Sequence, residues 1–294
     1  VGGVYDAIAD FDNLYRAYRL ARRGKRHRAS VDRFGFALER ELLARYDCRF
    51  DILGPDELGQ LEPGLAPIFH RAMYLPESGA VTNPGRMITA FAEYFAAAGG
   101  EIKRERALDF DLGDERAVIT DAGRIDTDII VLTAGPWSGD LSAKLGAPVR
   151  LEAERGYHIM LEHPDTTLNR FVYFQDRKFV LTPHEDGLRL TTGVEYAKVD
   201  APPDYRRVRN MLPLARDVMK SIDVTERSIW CGNRPTLPDS VPVIGPSPLH
   251  EDVYLGFGHS HLGLTMGPVT GRIIADLAGG RAPEIDISAY AANR

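Results

Sequence analysis

The chain has 294 residues, 44% of them apolar and 27% charged, with a formal net charge of −6, an ordinary composition for a globular protein of one or two domains. The longest apolar run, Ile129 to Ala134, is far too short to cross a bilayer as a helix. Cys48 and Cys231 alone cannot build a disulfide framework, and no Cys/His cluster has metal-ligand spacing.

The charge is unevenly placed. Arg16, Arg19, Arg22, Arg23, Lys25, Arg26 and Arg28 occur without an intervening acid, a pattern that most often is a solvated basic helix face and otherwise marks a nucleic-acid or membrane contact. Leu14–Arg23 and Phe34–Leu43 read as helices, the second through Phe34, Leu38 and Leu42 at helical spacing. Phe50–Leu53 reads as a short strand, the acids after Gly54-Pro55 as a helix start, and Met73–Leu75 as another strand. Asn83 and Pro84 then open a helix whose apolar face is Ile88, Phe91, Ala92 and Phe95, ended by Gly99-Gly100. A meander is predicted over Glu101–Arg104, Phe110–Leu112, Ala117–Thr120 and Arg124–Thr127. The continuous apolar run in Asp128–Ala134 predicts a strand buried on both faces of a parallel sheet. Val149–Val194 reads as aromatic-rich strands, Pro202–Lys220 as one helix with its approach, Val253–Phe257 as a last strand and Gly267–Ala278 as a last helix. The expected fold is α/β with a second, sheet-rich domain.

Three segments carry candidate chemistry. The strand Ile129–Leu132 ends in Thr133-Ala134-Gly135-Pro136-Trp137, where small residues at a strand's carboxyl end admit a ligand, though they equally suit a tight exit turn. In Gly232-Asn233-Arg234-Pro235-Thr236-Leu237-Pro238-Asp239 the prolines stiffen a loop that could aim the Arg234 fork at a carboxylate; pairing of Asp239 with Arg234 would instead make it structural. From Gly256 to Gly267 a strand runs into a glycine-rich loop and a helix whose start favours negative charge, a cradle for flavin or phosphate. Gly256-Phe257-Gly258 lacks the third glycine of a dinucleotide fingerprint. No nucleophile elbow, Walker loop or His-Glu-x-x-His occurs.

Together these segments resemble the FAD-dependent D-amino-acid oxidase superfamily, in particular the small subunits of bacterial D-amino-acid dehydrogenases. The likeness covers about residues 47–294 and rests on Leu132 to Ser138, Arg155-Gly156-Tyr157-His158, Arg234 to Gly245, Gly258 to Gly271, and the upstream Leu61-Glu62-Pro63 and Val81-Thr82-Asn83-Pro84. The resemblance implies a Rossmann-like FAD-binding domain (84–148 and 241–294), lacking its N-terminal Gly-x-Gly-x-x-Gly loop in this sequence. It also implies an α+β substrate domain (47–83 and 149–240) on a largely antiparallel sheet. It implies FAD held by Ala134, Gly135, Trp137, Gly258, His259, Gly263, Leu264 and Thr265. Arg234 would grip the substrate carboxylate, with Tyr157 and His259 lining the pocket. The implied reaction is oxidation of an amino acid, a D-amino acid in that branch, to an imino and then a 2-oxo acid by hydride transfer to flavin. A non-catalytic fragment or fusion product unable to bind FAD is the alternative.

Residues 1–46 form a separate basic segment. Asp12 to Tyr18 and Arg22 to Arg28 resemble a short piece of a retron or group II intron-type reverse transcriptase, without the Tyr-x-Asp-Asp of polymerisation; a nucleic-acid-binding module is the corresponding alternative. The expected partner is a small amino-acid substrate, with self-association or a second subunit completing the flavin site. The electron acceptor is left open. With no secretory signal or membrane span read in the sequence, the cytoplasm is the expected compartment, with peripheral contact to the inner membrane as the alternative.

Overall fold

The computed structural model describes residue 40, residues 43–162 and residues 168–294. The two helices expected at the basic end, and the reverse-transcriptase likeness, lie outside these residues apart from residues 40 and 43–45.

In chain order the described elements begin with β1 (Asp51–Leu53), α1 (Pro55–Leu61) and β2 (Ala72–Tyr74). The Glu57 carboxylate accepts from Gly54 N at 2.8 Å at the α1 start. Helix α2 (Pro84–Ala97) is capped by Asn83, whose Oδ1 accepts from Arg86 N at 2.9 Å. A meander of β3 (Ala107–Asp111), β4 (Ala117–Thr120) and β5 (Arg124–Asp126) follows. The strand expected over Glu101–Arg104 is absent; that stretch is irregular and exposed, and pairing starts only at Ala107. Then come β6 (Ile130–Leu132), a 3₁₀ turn (Gly135–Trp137) and α3 (Ser138–Lys144).

The largest sheet contains β7 (Glu152–Leu161), β8 (Val172–Phe174), β9 (Phe179–His184), β10 (Gly187–Tyr196) and β11 (Glu226–Thr236), ordered β11-β7-β10-β9-β8 and wholly antiparallel. Its strands alternate between two environments. Tyr157, Ile159 and Leu161 of β7, Leu188 and Leu190 of β10, and Phe179 and Leu181 of β9 point into one core. Two short helices, α4 (Arg206–Arg209) and α5 (Leu212–Val218), contribute Val208, Ala215 and Val218 to it. Full burial of each large aliphatic or aromatic side chain here contributes about 1.5–3 kcal/mol. The helix expected, with its approach, over Pro202–Lys220 is two short helices instead, separated at Asn210 and Met211, with Pro213 in the first turn of α5, where its missing N–H costs no hydrogen bond.

A second core surrounds β12 (Val243–Pro246), β13 (Val253–Phe257) and β6, a three-stranded sheet in which β13 pairs antiparallel with β12 and parallel with β6. Helix α6 (Gly263–Ala278) packs on it through Ile273 and Ile274. This helix starts one turn before the expected Gly267 and runs through Pro268. Strand β6 also departs from expectation. It is an edge strand of three residues, and Val131 is 43% exposed, so it is not buried on both faces. Helix α2 likewise leaves Ile88, Phe91, Tyr94 and Phe95 more than half exposed. Among the described residues no helix is long and apolar enough to cross a membrane.

Candidate functional site

Arg234 lies inside strand β11, opposite Glu154 of β7, rather than in a proline-stiffened loop. Strand β11 is an edge strand, where a residue such as Pro235 that lacks an N–H is tolerated. The next pairs along the two strands are Gly232 with Gly156 and Trp230 with His158. Cross-strand partners share a face, so Arg234, Gly232 and Trp230 stand with Glu154, Gly156 and His158 on the side opposite the first core.

The paired glycines make the floor of this site. A Cβ on Gly156 would fall 2.1 Å from Arg234 Nη2 and 2.3 Å from its Cζ, so the guanidinium lies directly on the β7 backbone. A Cβ on Gly232 would fall 2.1 Å from the six-membered ring of Trp230. That indole is 5.2 Å, centroid to centroid, from the His158 ring. Burial, then the nearby Arg189 and His184 charges, push His158 down to about 4, so it is neutral at pH 7. Arg234 has one ionic partner among the described residues, Glu154 Oε1 at 3.7 Å, which leaves most of its donors free. Asp239 does not pair with it; Arg294 takes that carboxylate at 3.0 Å, holding it below the usual range.

The C-terminal glycine loop is fastened to the same strand. Ser260 N donates to Pro235 O at 2.9 Å, and His259 forms a β-bridge with Thr236. Gly258 takes φ +85°, and a Cβ there would fall 2.3 Å from Leu237 Cδ1, so this turn requires glycine. The 3₁₀ turn Gly135–Trp137 packs against β11 as well. Ala134, Gly135, Trp137, Arg234, Gly258, His259 and Gly263 are thereby gathered at one end of the large sheet. His259 Nε2 is 2.9 Å from Thr270 Oγ1, which ties the loop to α6, and burial holds its pKa below the ordinary histidine value.

Tyr157 departs from expectation. It is 2% exposed within the first core, on the opposite face of β7 from Arg234. Its hydroxyl donates to Glu195 and accepts from Asp204 N at 3.2 Å; burial and then the Glu195 contact raise its pKa to about 12. One residue of offset separates Tyr157 from the site, because successive strand side chains face opposite ways. Sequence reading gave no role to His158, Trp230 or Arg189. Counting by twos from Arg234 and from Gly156 would have placed the first two on the site face. A cleft of about 1010 Å³ between β2 and β8 contains neither Arg234 nor the glycine loop; of its lining acids, Glu62 is buried and bonded to Arg170 at 3.2 Å and to Asn169 N at 2.8 Å.

With this geometry described, comparison with known proteins is decisive about family. The model of the FAD dependent oxidoreductase family matches residues 8–277. The chain belongs to this family. The match begins inside the basic segment that sequence reading set apart at 1–46. A D-amino-acid oxidase from Bradyrhizobium diazoefficiens is 34% identical over 248 residues, covering 82% of this chain and 59% of that protein. A D-amino acid dehydrogenase 2 from Mesorhizobium japonicum is 31% identical over 255 residues, covering 83% and 61%. The chain thus spans about three fifths of the length of these two relatives. Glycine oxidase from Geobacillus kaustophilus shares the fold, with a TM-score of 0.75 at 21% identity over 96% of this chain and 71% of that one.

The family's cofactor can be tested against residues present. Helix α6 has no side-chain cap at its start, so the N–H groups of Gly263, Leu264 and Thr265 have no capping acceptor. Ser260 Oγ is buried without a partner among the described residues. Gly267 and Gly271 have open space where a Cβ would stand. Such donors beside an open, glycine-lined helix face fit the carbonyl-bearing edge of a flavin ring, where negative charge develops on reduction. The pyrophosphate end is different: no Gly-x-Gly-x-x-Gly occurs in the sequence, and the described residues supply no equivalent loop.

Proposed function

We propose that this chain is the substrate-gripping and flavin-closing part of an FAD-dependent amino-acid oxidoreductase. The observation carrying the reading is that Arg234, seated on Gly156, shares its strand with the anchor of the Gly258–Gly263 loop. A carboxylate held by Arg234 stands next to the place where α6 begins. FAD, held by residues 258–265 with Ser260 among them, would supply the two-electron acceptor chemistry that amino-acid oxidation needs. The guanidinium fork fixes the carboxylate, and with it the orientation of the α-carbon. The α6 start and Ser260 favour negative charge on the ring edge they face. Trp230 and neutral His158 form an aromatic wall that adds no competing cation. The oxidised product is an imino acid, which water converts to a 2-oxo acid. No dedicated base is needed for a substrate that arrives with a neutral amine.

The edge of β6, unpaired among the described residues, and the exposed apolar face of α2 support completion of the flavin half by further polypeptide, self-association or a second subunit being two sources of it. The first experiment is a visible spectrum of the purified protein with added FAD. A bound flavin spectrum is expected; a protein that stays colourless and takes up no FAD overturns the proposal. Given uptake, Arg234→Ala is expected to weaken substrate binding far more than FAD binding, and equal loss of both would count against the assigned role.

A further inference from the structure

A second arginine stands on the site face of the large sheet. Arg189 of β10 pairs with Met160 of β7 and with Thr182 of β9, so it shares the face that carries His158 and Arg234. Its Nε donates to Met160 Sδ at 3.4 Å, which places its side chain, like that of Arg234, over β7. No carboxylate among the described residues pairs with it. Glu185, near in sequence, is held by Arg86 and by Asn83 Nδ2 at 3.0 Å. Asp186 acts on His184 instead. The neighbours that do face Arg189 are His158 and His184, whose pKa values are lowered by burial first and by the Arg189 charge next. His184 Nδ1 is engaged by Thr82 O at 2.8 Å. A half-buried guanidinium with a thioether and two imidazoles around it lacks, among the described residues, the counter-charge that such a group ordinarily has.

The separation of the two cations gives the shape of what would supply that charge. Arg234 lies on Gly156 and Arg189 against Met160, four residues apart on one strand, or about 13 Å at strand rise. A bidentate carboxylate sits roughly 4 Å from its guanidinium, carbon to carbon, and four carbon–carbon bonds separate the two carboxyl carbons of an extended glutamate by about 5 Å. Two such contacts and one such chain together span about 13 Å.

Building on the amino-acid oxidoreductase reading, we propose that the site takes a dicarboxylic amino acid of glutamate length. Its α-carboxylate lies on Arg234, its side-chain carboxylate on Arg189, and the chain crosses over His158. Arg189 is then the residue that determines specificity, and Arg234 the one that binds every substrate.

Calorimetric titration of the purified chain with glutarate and with butyrate tests this without turnover. Glutarate is expected to bind roughly 10–150-fold tighter than butyrate, the range of one charge-assisted pair. Arg189→Met is expected to reduce glutarate to the level of butyrate and leave butyrate unchanged, while Arg234→Met weakens both. Equal affinity of the parent protein for the two acids, no binding of either, or equal loss of both in Arg189→Met would overturn the assignment. Failure of the oxidoreductase reading shows differently, as glutarate selectivity in a protein that takes up no FAD.

Discussion

Replacing Gly156 by alanine asks whether the Arg234 guanidinium owes its place to a missing side chain. The added Cβ would stand 2.1–2.4 Å from three guanidinium atoms, far inside van der Waals contact. One of the two groups must move. Strand β7 is laddered to β10 on one side and to β11 on the other, whereas the arginine is a flexible chain held by one long ion pair to Glu154. The arginine therefore yields. Both partners of that pair are partly exposed, so losing it costs under about 1 kcal/mol of stability. Ligand binding loses more, since a displaced fork forfeits a charge-assisted contact of about 1.5–3 kcal/mol. That energy corresponds to roughly 10–150-fold weaker binding of a monocarboxylate. The assay is calorimetric titration with butyrate beside urea unfolding at the same pH. Gly232→Ala, whose Cβ meets Trp230 instead, serves as the control and should cost less affinity. Butyrate affinity within twofold of the parent in a folded Gly156→Ala protein would refute the reasoning. So would a stability loss of several kcal/mol, which would make Gly156 a backbone requirement rather than a seat for the guanidinium.

Three further outcomes are expected. Tyr157→Phe removes the hydroxyl that joins Glu195 to Asp204 N, so unfolding free energy falls by about 1–2 kcal/mol with butyrate affinity unchanged; lost affinity at unchanged stability would return Tyr157 to the ligand side. Asn83→Ala removes the α2 cap and costs about 1 kcal/mol, read as a lower melting midpoint, and an unchanged midpoint would mean that α2 adds nothing to global stability. His158, held down to about 4 in the fold against about 6.5 when unfolded, resists protonation only in the folded state. Its contribution is therefore fully present above pH 6.5 and is lost as pH falls toward 4. His158→Gln should flatten the pH dependence of unfolding across that window, and an identical slope in both proteins would show that the acid sensitivity arises elsewhere.

The elements that could be read from the sequence were those specified locally. Asn83-Pro84 announced α2 because capping and the fixed proline angle act within one turn. Elements specified by tertiary partners were misjudged. Ile129 to Leu132 suggested a fully covered strand, yet coverage depends on what lies beside β6, and composition cannot supply that. Gly267 suggested a helix start, yet α6 begins at Gly263, since glycine inside a helix costs only about 1 kcal/mol. Arg234 was singled out for its prolines, although it is a strand residue whose direction comes from pairing with Glu154.

The misplacement of Tyr157 leads to the physical argument on which the site rests. Residues 157, 159 and 161 of β7 are buried in the first core, while 154, 156 and 158 form the site floor. A slip of one residue in the pairing of β7 would expose Ile159 and Leu161 and put Tyr157 where Arg234 needs bare backbone. Hydrophobic burial thus enforces the register that the guanidinium requires, and the same alternation carries to Leu188, Arg189 and Leu190 on β10. The seats of the two arginines, four residues apart along β7, are consequently fixed by the core beneath them. A sheet held this way is expected to tolerate exchange of the residue at position 189 without disturbing position 234, since each is oriented by its own strand pairing.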